Sequence, residues 1–248
     1  MANEEQLQIL GEGADAWNSW IWNNRSTIVN FCDADLSRAD LKQFNLTNAD
    51  LRGANLSQAD LSNSVLYAAN FPGAVLSGAN LTGAILGYAN LAGVDLGGAN
   101  LSRSDLIRAH LNEANLSETD LSYANLSWSD LYEANLSKAN LSHSILRGAN
   151  LTWSDLSGAD LSETVLEMAV FNDVNLTGTH FNGAYLELTI LSNLDLSQAT
   201  GLEMVNHMRN SSIGIDTFYR SQGKIPKEFL RGAGVPEILI QHILSLIG

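Results

Sequence analysis

Five histidines, His110, His143, His180, His207 and His242, and a lone Cys32 are the side chains best suited to metal or nucleophilic chemistry. No two of them stand the roughly two to five residues apart that a compact metal-ligand pair requires. Serines are abundant, yet none sits in a G-x-S-x-G elbow, and no glycine-rich phosphate loop is present. Asn-Leu-Ser/Thr occurs ten times, nominally as glycosylation acceptors, but these triplets fall out of a repeat that runs through the chain. The residues therefore predict no catalytic, metal or cofactor site.

Composition narrows the classes further. The chain has 248 residues, 45% of them hydrophobic, only 16% charged, and a net charge of −14. That balance suits a sizeable core and is poor for gripping nucleic-acid phosphates. One cysteine permits no disulfide framework, which fits a reducing compartment. The start, MANEEQLQIL, lacks the basic and apolar runs of a secretory leader, and the apolar stretch 238–247 is interrupted by Gln241 and His242 and too short to span a bilayer. The expectation is a cytoplasmic protein without a membrane segment.

The elements that position any site must account for a period of five. From Phe31 to Leu196 every fifth residue is Leu or Phe, 34 positions without exception. Two residues before each stands a small residue in 29 cases, Ala in 20 of them. An α-helix advances about 100° per residue and would wind these leucines around every side. A flat strand would alternate them between faces. A chain that turns by a fixed angle every five residues directs them all at one axis, with Leu and Ala together filling a narrow tube. Glycines at the fifth position (Gly73, Gly78, Gly83, Gly93, Gly98) suit whatever backbone angles the corner needs.

The pentapeptides ANLSK, ADLSN, ADLSE and ANLSW, set in residues 29–200, resemble the pentapeptide-repeat family, whose motif is A-(D/N)-L-x-x. The resemblance implies an all-β solenoid, a right-handed quadrilateral β-helix with four pentapeptides per coil. The 34 repeats would then make about 8.5 coils and a rod roughly 40 Å long. Short amides stacked in columns would bond to backbone or to one another. His110 would lie beside Asp130, and His180 beside Asp160. A segment around IPKEFLRGAGVPEILI resembles the chain that follows such arrays in cyanobacterial proteins.

Some members of the family imitate DNA and inhibit type II topoisomerases, so an acidic DNA mimic is the alternative function. Against it, the column Asp40, Asp60, Asp120, Asp160 and the column Asp35, Asp95, Asp155, Asp195 are both interrupted by uncharged residues. One face departs from the pattern in another way. Val65, Ile85, Ile145 and Val165 replace Asn or Asp at multiples of twenty, and Tyr185 continues the column. Tyr67, Tyr88, Ile107, Trp128, Met168 and Leu188 flank it. A contiguous apolar stripe marks an interface more often than chance does. Three readings stay open: contact with another protein or a second copy in a homo-dimer, cover by the chain's own tail, and neutral drift. The first makes the protein a non-enzymatic interaction or scaffolding module.

The ends need covers, because a solenoid otherwise exposes pairing edges. Residues 1–28 read as a helical cap: Asn3 and Gln6 form a capping box, Leu7, Leu10, Ala14, Trp17 and Ile21 keep helical spacing, and Gly11 and Gly13 weaken it. Trp17, Trp20 and Trp22 are expected to form an apolar lid. Residues 201–248 read as a mostly helical tail, with one helical turn or two over 201–210, a partly alternating strand over 212–221, and helices opened by Pro226 and Pro236.

Overall fold

The computed structural model describes residues 1–247. Each pentapeptide builds one side of a rectangular coil. The inward Leu begins a β-turn closed by a bond from the residue three on, as from Ala54 N–H to Leu51 O at 3.0 Å. The third turn residue has positive φ, +68° at Gly53 and +58° at Gln58, the signature of a type II turn. Pro72 takes the second position of such a turn, where its fixed φ fits. Bulky residues also occupy the positive-φ corner, including Tyr88, Trp128 and Arg103. A left-handed non-glycine residue costs about 1–2 kcal/mol. The corner residue is held there by its N–H, which donates to the next coil, as Tyr88 does to Ile107 O at 2.9 Å.

Coils stack in parallel with a register of twenty, from the Asn30–Asp50 bridge to the His180–Thr200 bridge. Leu51 N–H donates to Asn70 O (2.8 Å), and Asn70 N–H donates back to Ala49 O (2.9 Å). The four-sided solenoid expected from the resemblance is thus observed. Its interior is tight: Leu51, Ala54, Leu56 and Ala59 are all fully buried. Most Ser and Thr at the small position keep their hydroxyls satisfied, as Ser104 and Ser144 do by donating to the carbonyl of the Leu three before, at 2.7 and 2.6 Å. The buried Ser64 hydroxyl is the exception and has no partner. Phe44 in the first coil and Leu194 in the last occupy the same small position and are still buried. Their neighbour on one side is an end segment, Trp17 for Phe44 and the stretch bearing Thr217 for Leu194, rather than another Leu-Ala coil.

Two short helices, α1 (Glu4–Leu10) and α2 (Ala14–Asn23), sit on the first coil, separated at Gly11 and Gly13 as their spacing predicts. Only half of the capping box forms. Asn3 Oδ1 accepts from Gln6 N–H (3.1 Å), but the Gln6 side chain turns to the solenoid, donating to Ile28 O and accepting from Asn30 N–H. Trp17 is fully buried against Phe31 and Phe44, with Trp20 beside it. Trp22 does not join the lid. It is 69% exposed and stacks under Arg25, because five helical residues turn it well away from the face of Trp17.

The last coils tighten into short strands, β1 (Val170–Asn172), β2 (Tyr185–Leu186) and β3 (Ile190–Ser192). The tail continues the stack before closing it. A 3-10 turn at Leu202–Met204 leads to β4 (Asn206–His207), which pairs with β2, and β5 (Ser212–Ile213) pairs with β3. The strand expected over 212–221 is only these two residues, since Gly214 starts α3 (Ile215–Arg220). Two helices follow, α4 (Lys227–Gly232) and α5 (Glu237–Ile247). Among the described residues no helix is long and apolar enough to cross a membrane.

Two outcomes follow from this packing. Ala109 is inward and buried, so Ala109→Phe should overfill the tube and lower stability by more than the ~1–3 kcal/mol usual for overpacking; thermal melting checks this. His207 lies against Phe229 with both ring nitrogens unpaired, and burial pushes its pKa below the ordinary 6.5. The unfolded chain then binds the proton more readily, so the tail should lose stability as pH falls below about 6.5. His207→Phe should remove that pH dependence, read as hydrogen exchange over residues 206–213.

Candidate interaction face

The apolar stripe lies where the register of twenty requires. Val65 bridges to Ile85, Ile145 to Val165, and Val165 to Tyr185. Asp105 and Asn125 interrupt the column midway, bridging to Ile85 and Ile145 respectively. The flanking Ile107 and Trp128 carry the apolar surface across that gap. Tyr67, Ile85, Tyr88, Trp128, Ile145, Met168, Tyr185 and Leu188 are exposed, while Val65, Ile107 and Val165 are half-buried. All eleven residues thus share one side of the solenoid.

The aromatic side chains are laid down rather than extended. Gly87 gives Tyr67 a shelf, since a Cβ there would stand 3.4 Å from the ring. Gly148 does the same for Trp128, whose ring would overlap any added Cβ. Tyr67 and Tyr88 rings contact at 5.5 Å, and Arg108 donates to the Tyr88 hydroxyl at 3.0 Å. Along one margin Arg147 pairs with Glu167 (2.6 Å) and Arg209 with Glu187 (2.9 Å). The result is a low apolar strip with a charged rim.

Replacing Asn or Asp on this face has a local cost. Elsewhere the short side chain accepts from the N–H two residues on, as Asp105 does from Ile107 (3.0 Å) and Asn125 from Ser127 (3.1 Å). Val or Ile cannot, and among the described residues the N–H groups of Gly87, Arg147 and Glu167 have no protein partner. A hydrogen bond of this kind is worth about 1 kcal/mol. The substitutions give up that bond and leave apolar surface in water, so internal stability does not account for them. Among the described residues neither end covers the face, because the tail stacks on the last coil, meeting the face at its margin at Glu187, and α1 and α2 stack on the first. The described residues of the tail leave the exposed members of the stripe uncovered.

The other candidate side chains are engaged in structure. His110 stacks beside Asp130 and His180 beside Asp160, and His180 Nδ1 lies 2.7 Å from Thr200 Oγ1. A column missed in the sequence runs along one corner. Arg103 lies over Tyr123, Tyr123 stacks on His143, and His143 pairs with Glu163 at 3.0 Å. Its signal was again the spacing of twenty. Asp50 is held down to about 2 by its hydrogen bonds from Arg52, at 2.7 and 2.8 Å, so it stays ionised in an ion pair. Among the described residues no group of His, Cys, Asp and Glu is placed to hold a metal ion.

With the coil and its faces in view, comparison with known proteins defines the class. The pentapeptide-repeat pattern matches residues 30–66, 59–98, 99–137, 134–173 and 169–200. The chain belongs to the pentapeptide-repeat family. A trypsin-treated structure of QnrB1, a plasmid-mediated fluoroquinolone resistance protein, is 18% identical over 72% of this chain and 89% of that one, with a TM-score of 0.56, and shares the fold. HetL from Nostoc sp. strain PCC 7120, involved in heterocyst differentiation regulation, is 27% identical over 72% of this chain and 92% of its own, with a TM-score of 0.32. Rfr23 from Cyanothece 51142 is 31% identical over 45% and 86%, with a TM-score of 0.35. No curated protein matches the chain.

Gly148→Ala tests the shelf beneath Trp128. The added methyl should lift the indole and shift the near-UV circular dichroism, at a stability cost of about 1–2 kcal/mol for a left-handed alanine.

Proposed function

We propose that this protein is a non-catalytic interaction module that docks a protein partner on the face bearing Trp128 and Ile145. The observation that carries the reading is the uncovered apolar strip. It runs through seven successive coils from Val65 to Tyr185, six steps or roughly 30 Å. Apolar surface of that length is a recognised mark of a binding surface. Aromatic rings resting on Gly87 and Gly148 support it, since side chains already held in place lose less freedom on association. The absence of a gathered set of reactive groups in the pentapeptide coils agrees with a scaffold. A lone Cys32 and the likeness of IPKEFLRGAGVPEILI to the chain that follows such arrays in cyanobacterial proteins support a role in the cytoplasm of such a bacterium.

A DNA mimic is less well supported. Asn55 and Val75 separate Asp35 from Asp95 in one column, and Lys42 and Lys138 neutralise carboxylates at Asp60 and Glu118. These features break up the continuous negative stripe that duplex mimicry requires.

Trp128→Glu combined with Ile145→Lys should leave the melting temperature nearly unchanged, because exposed substitutions cost within about 0.5 kcal/mol. Association should be lost, whether read as capture of a partner from native lysate or as self-association by sedimentation. Unaltered association would contradict the proposed face.

A further inference from the structure

The N-terminal edge of the solenoid is closed on only two of its four sides. In later coils the outward residue donates its N–H to the coil before and accepts there at its carbonyl, as Asn70 does with Ala49 and Leu51. In the first coil, the helical cap supplies substitutes for Asn30 and Asn45. Gln6 Oε1 accepts from Asn30 N–H (2.8 Å), and Asn3 N–H donates to Asn30 O (2.9 Å). Asn18 Oδ1 accepts from Asn45 N–H, and Trp17 Nε1 donates to Asn45 O, both at 2.8 Å. Nothing does this for Asp35 and Asp40. Among the described residues, the N–H and carbonyl of each have no protein partner. The opposite end is closed by side chains: Asp216, Thr217 and Ser221 accept from the N–H groups of Asn193, Leu194 and Leu196.

The unpaired edge opens into a groove of about 740 Å³. Its walls include Leu10, Gly13 and Ala14, and its floor Leu36, Ala39 and Leu41. Ala39 is only half-buried, whereas Ala59, one coil later, is fully buried. The site therefore has the main-chain groups and the apolar floor of a coil whose preceding neighbour is missing on two sides. It also has a charge preference. Asp35 is exposed and, among the described residues, no cation pairs with it, while Asp40 already meets Lys42 at 3.5 Å.

We propose that this groove binds an extended segment of a partner protein as an added half-coil, with a small residue, then Lys or Arg, then Leu in each turn. The segment's main chain bonds to Asp35 and Asp40, the mode in which an added strand gains affinity from backbone pairing and specificity from side-chain pockets. Its small residue and Leu fill the space above Ala39 and Leu41. Its basic residue stacks on Asp35, which as a carboxylate has no proton to donate to an amide in that place. This surface lies at the end of the solenoid and is independent of the lateral apolar face.

The test titrates the intact protein into a fluorescent ten-residue peptide of the 53–62 sequence carrying Asn55→Lys and Asp60→Lys, followed by anisotropy. Saturable binding is expected. It should weaken at least tenfold when the two leucine nitrogens of the peptide are methylated, which removes the donors to the Asp35 and Asp40 carbonyls. Ala39→Trp, which fills the groove, should weaken it to the same extent in protein shown by melting to be folded. If that variant does not fold, the methylated peptide decides. Asp35→Asn should weaken the lysine peptide and spare the unaltered 53–62 peptide. No saturable binding up to millimolar peptide, or equal binding of plain and methylated peptides, would overturn the proposal. Dimers of the free protein that Ala39→Trp dissolves would assign the groove to a second copy and also overturn it.

Discussion

The return of the chain onto itself every twenty residues is the constraint from which the rest follows. Between the end coils the inward Leu N–H reaches a carbonyl 19 residues on, as from Leu51 to Asn70, and the outward residue reaches back 21, as from Asn70 to Ala49. Because the ladder is parallel and in register, like positions lie above like. The core becomes a column of Leu and Ala, and a substitution in one coil joins its equivalents in the coils above and below. Asp95, Asn115 and Asn135 form such a column, with each amide donating to the carboxylate or amide before it. Val65, Ile85, Ile145 and Val165 become a face for the same reason.

Stacking also makes the two ends the points of greatest difficulty. The tail resolves one by adding β4 and β5, paired at offsets of 21 and 22 rather than twenty, and then turning into α3, where the hydroxyls of Thr217 and of Ser221 just after the helix accept from N–H groups of the last coil. The N-terminal helices resolve the other with Gln6, Trp17 and Asn18, but two helices of seven and ten residues reach only two sides of a four-sided coil. The first coil therefore keeps a free edge at Asp35 and Asp40. Free edges are usually blocked by charge, and Asp35, Asp40 and Lys42 carry it here. The same charges select what can pair.

Much of this was legible in the sequence, and the remainder has physical reasons. The unbroken Leu/Phe period placed the core, the inward Ala and the apolar face, because a strict repeat leaves local propensity little to decide. Four sides per coil was not readable from a period of five; it rests on family resemblance. Trp22 was misassigned to the lid because three nearby tryptophans suggested one surface, whereas helical phase separates Trp22 from Trp17. Residues 212–221 alternate in part like a strand, but β5 ends after two residues and Gly214 caps the start of α3. Aromatic residues in left-handed corners at Tyr88 and Trp128 contradict their intrinsic preference, and the inter-coil bond at each corner explains why they persist. The groove had no sequence signal, since it is defined by what the cap leaves uncovered.

Disulfide formation between engineered cysteines measures the register most directly. In a Cys32→Ser background, Asn125→Cys with Ile145→Cys places two thiols on bridged residues of adjacent coils. Stacked strands lie about 4.8 Å apart, inside the Cα separation of roughly 4.4–6.8 Å that a disulfide accepts. Asn125→Cys with Asn150→Cys adds five residues and moves the second thiol to the neighbouring side. Mild oxidation should cross-link the first pair and leave the second as free thiols. Cross-linking of the second pair with none in the first would contradict a twenty-residue coil, and with it the shared face of Ile85, Trp128 and Ile145.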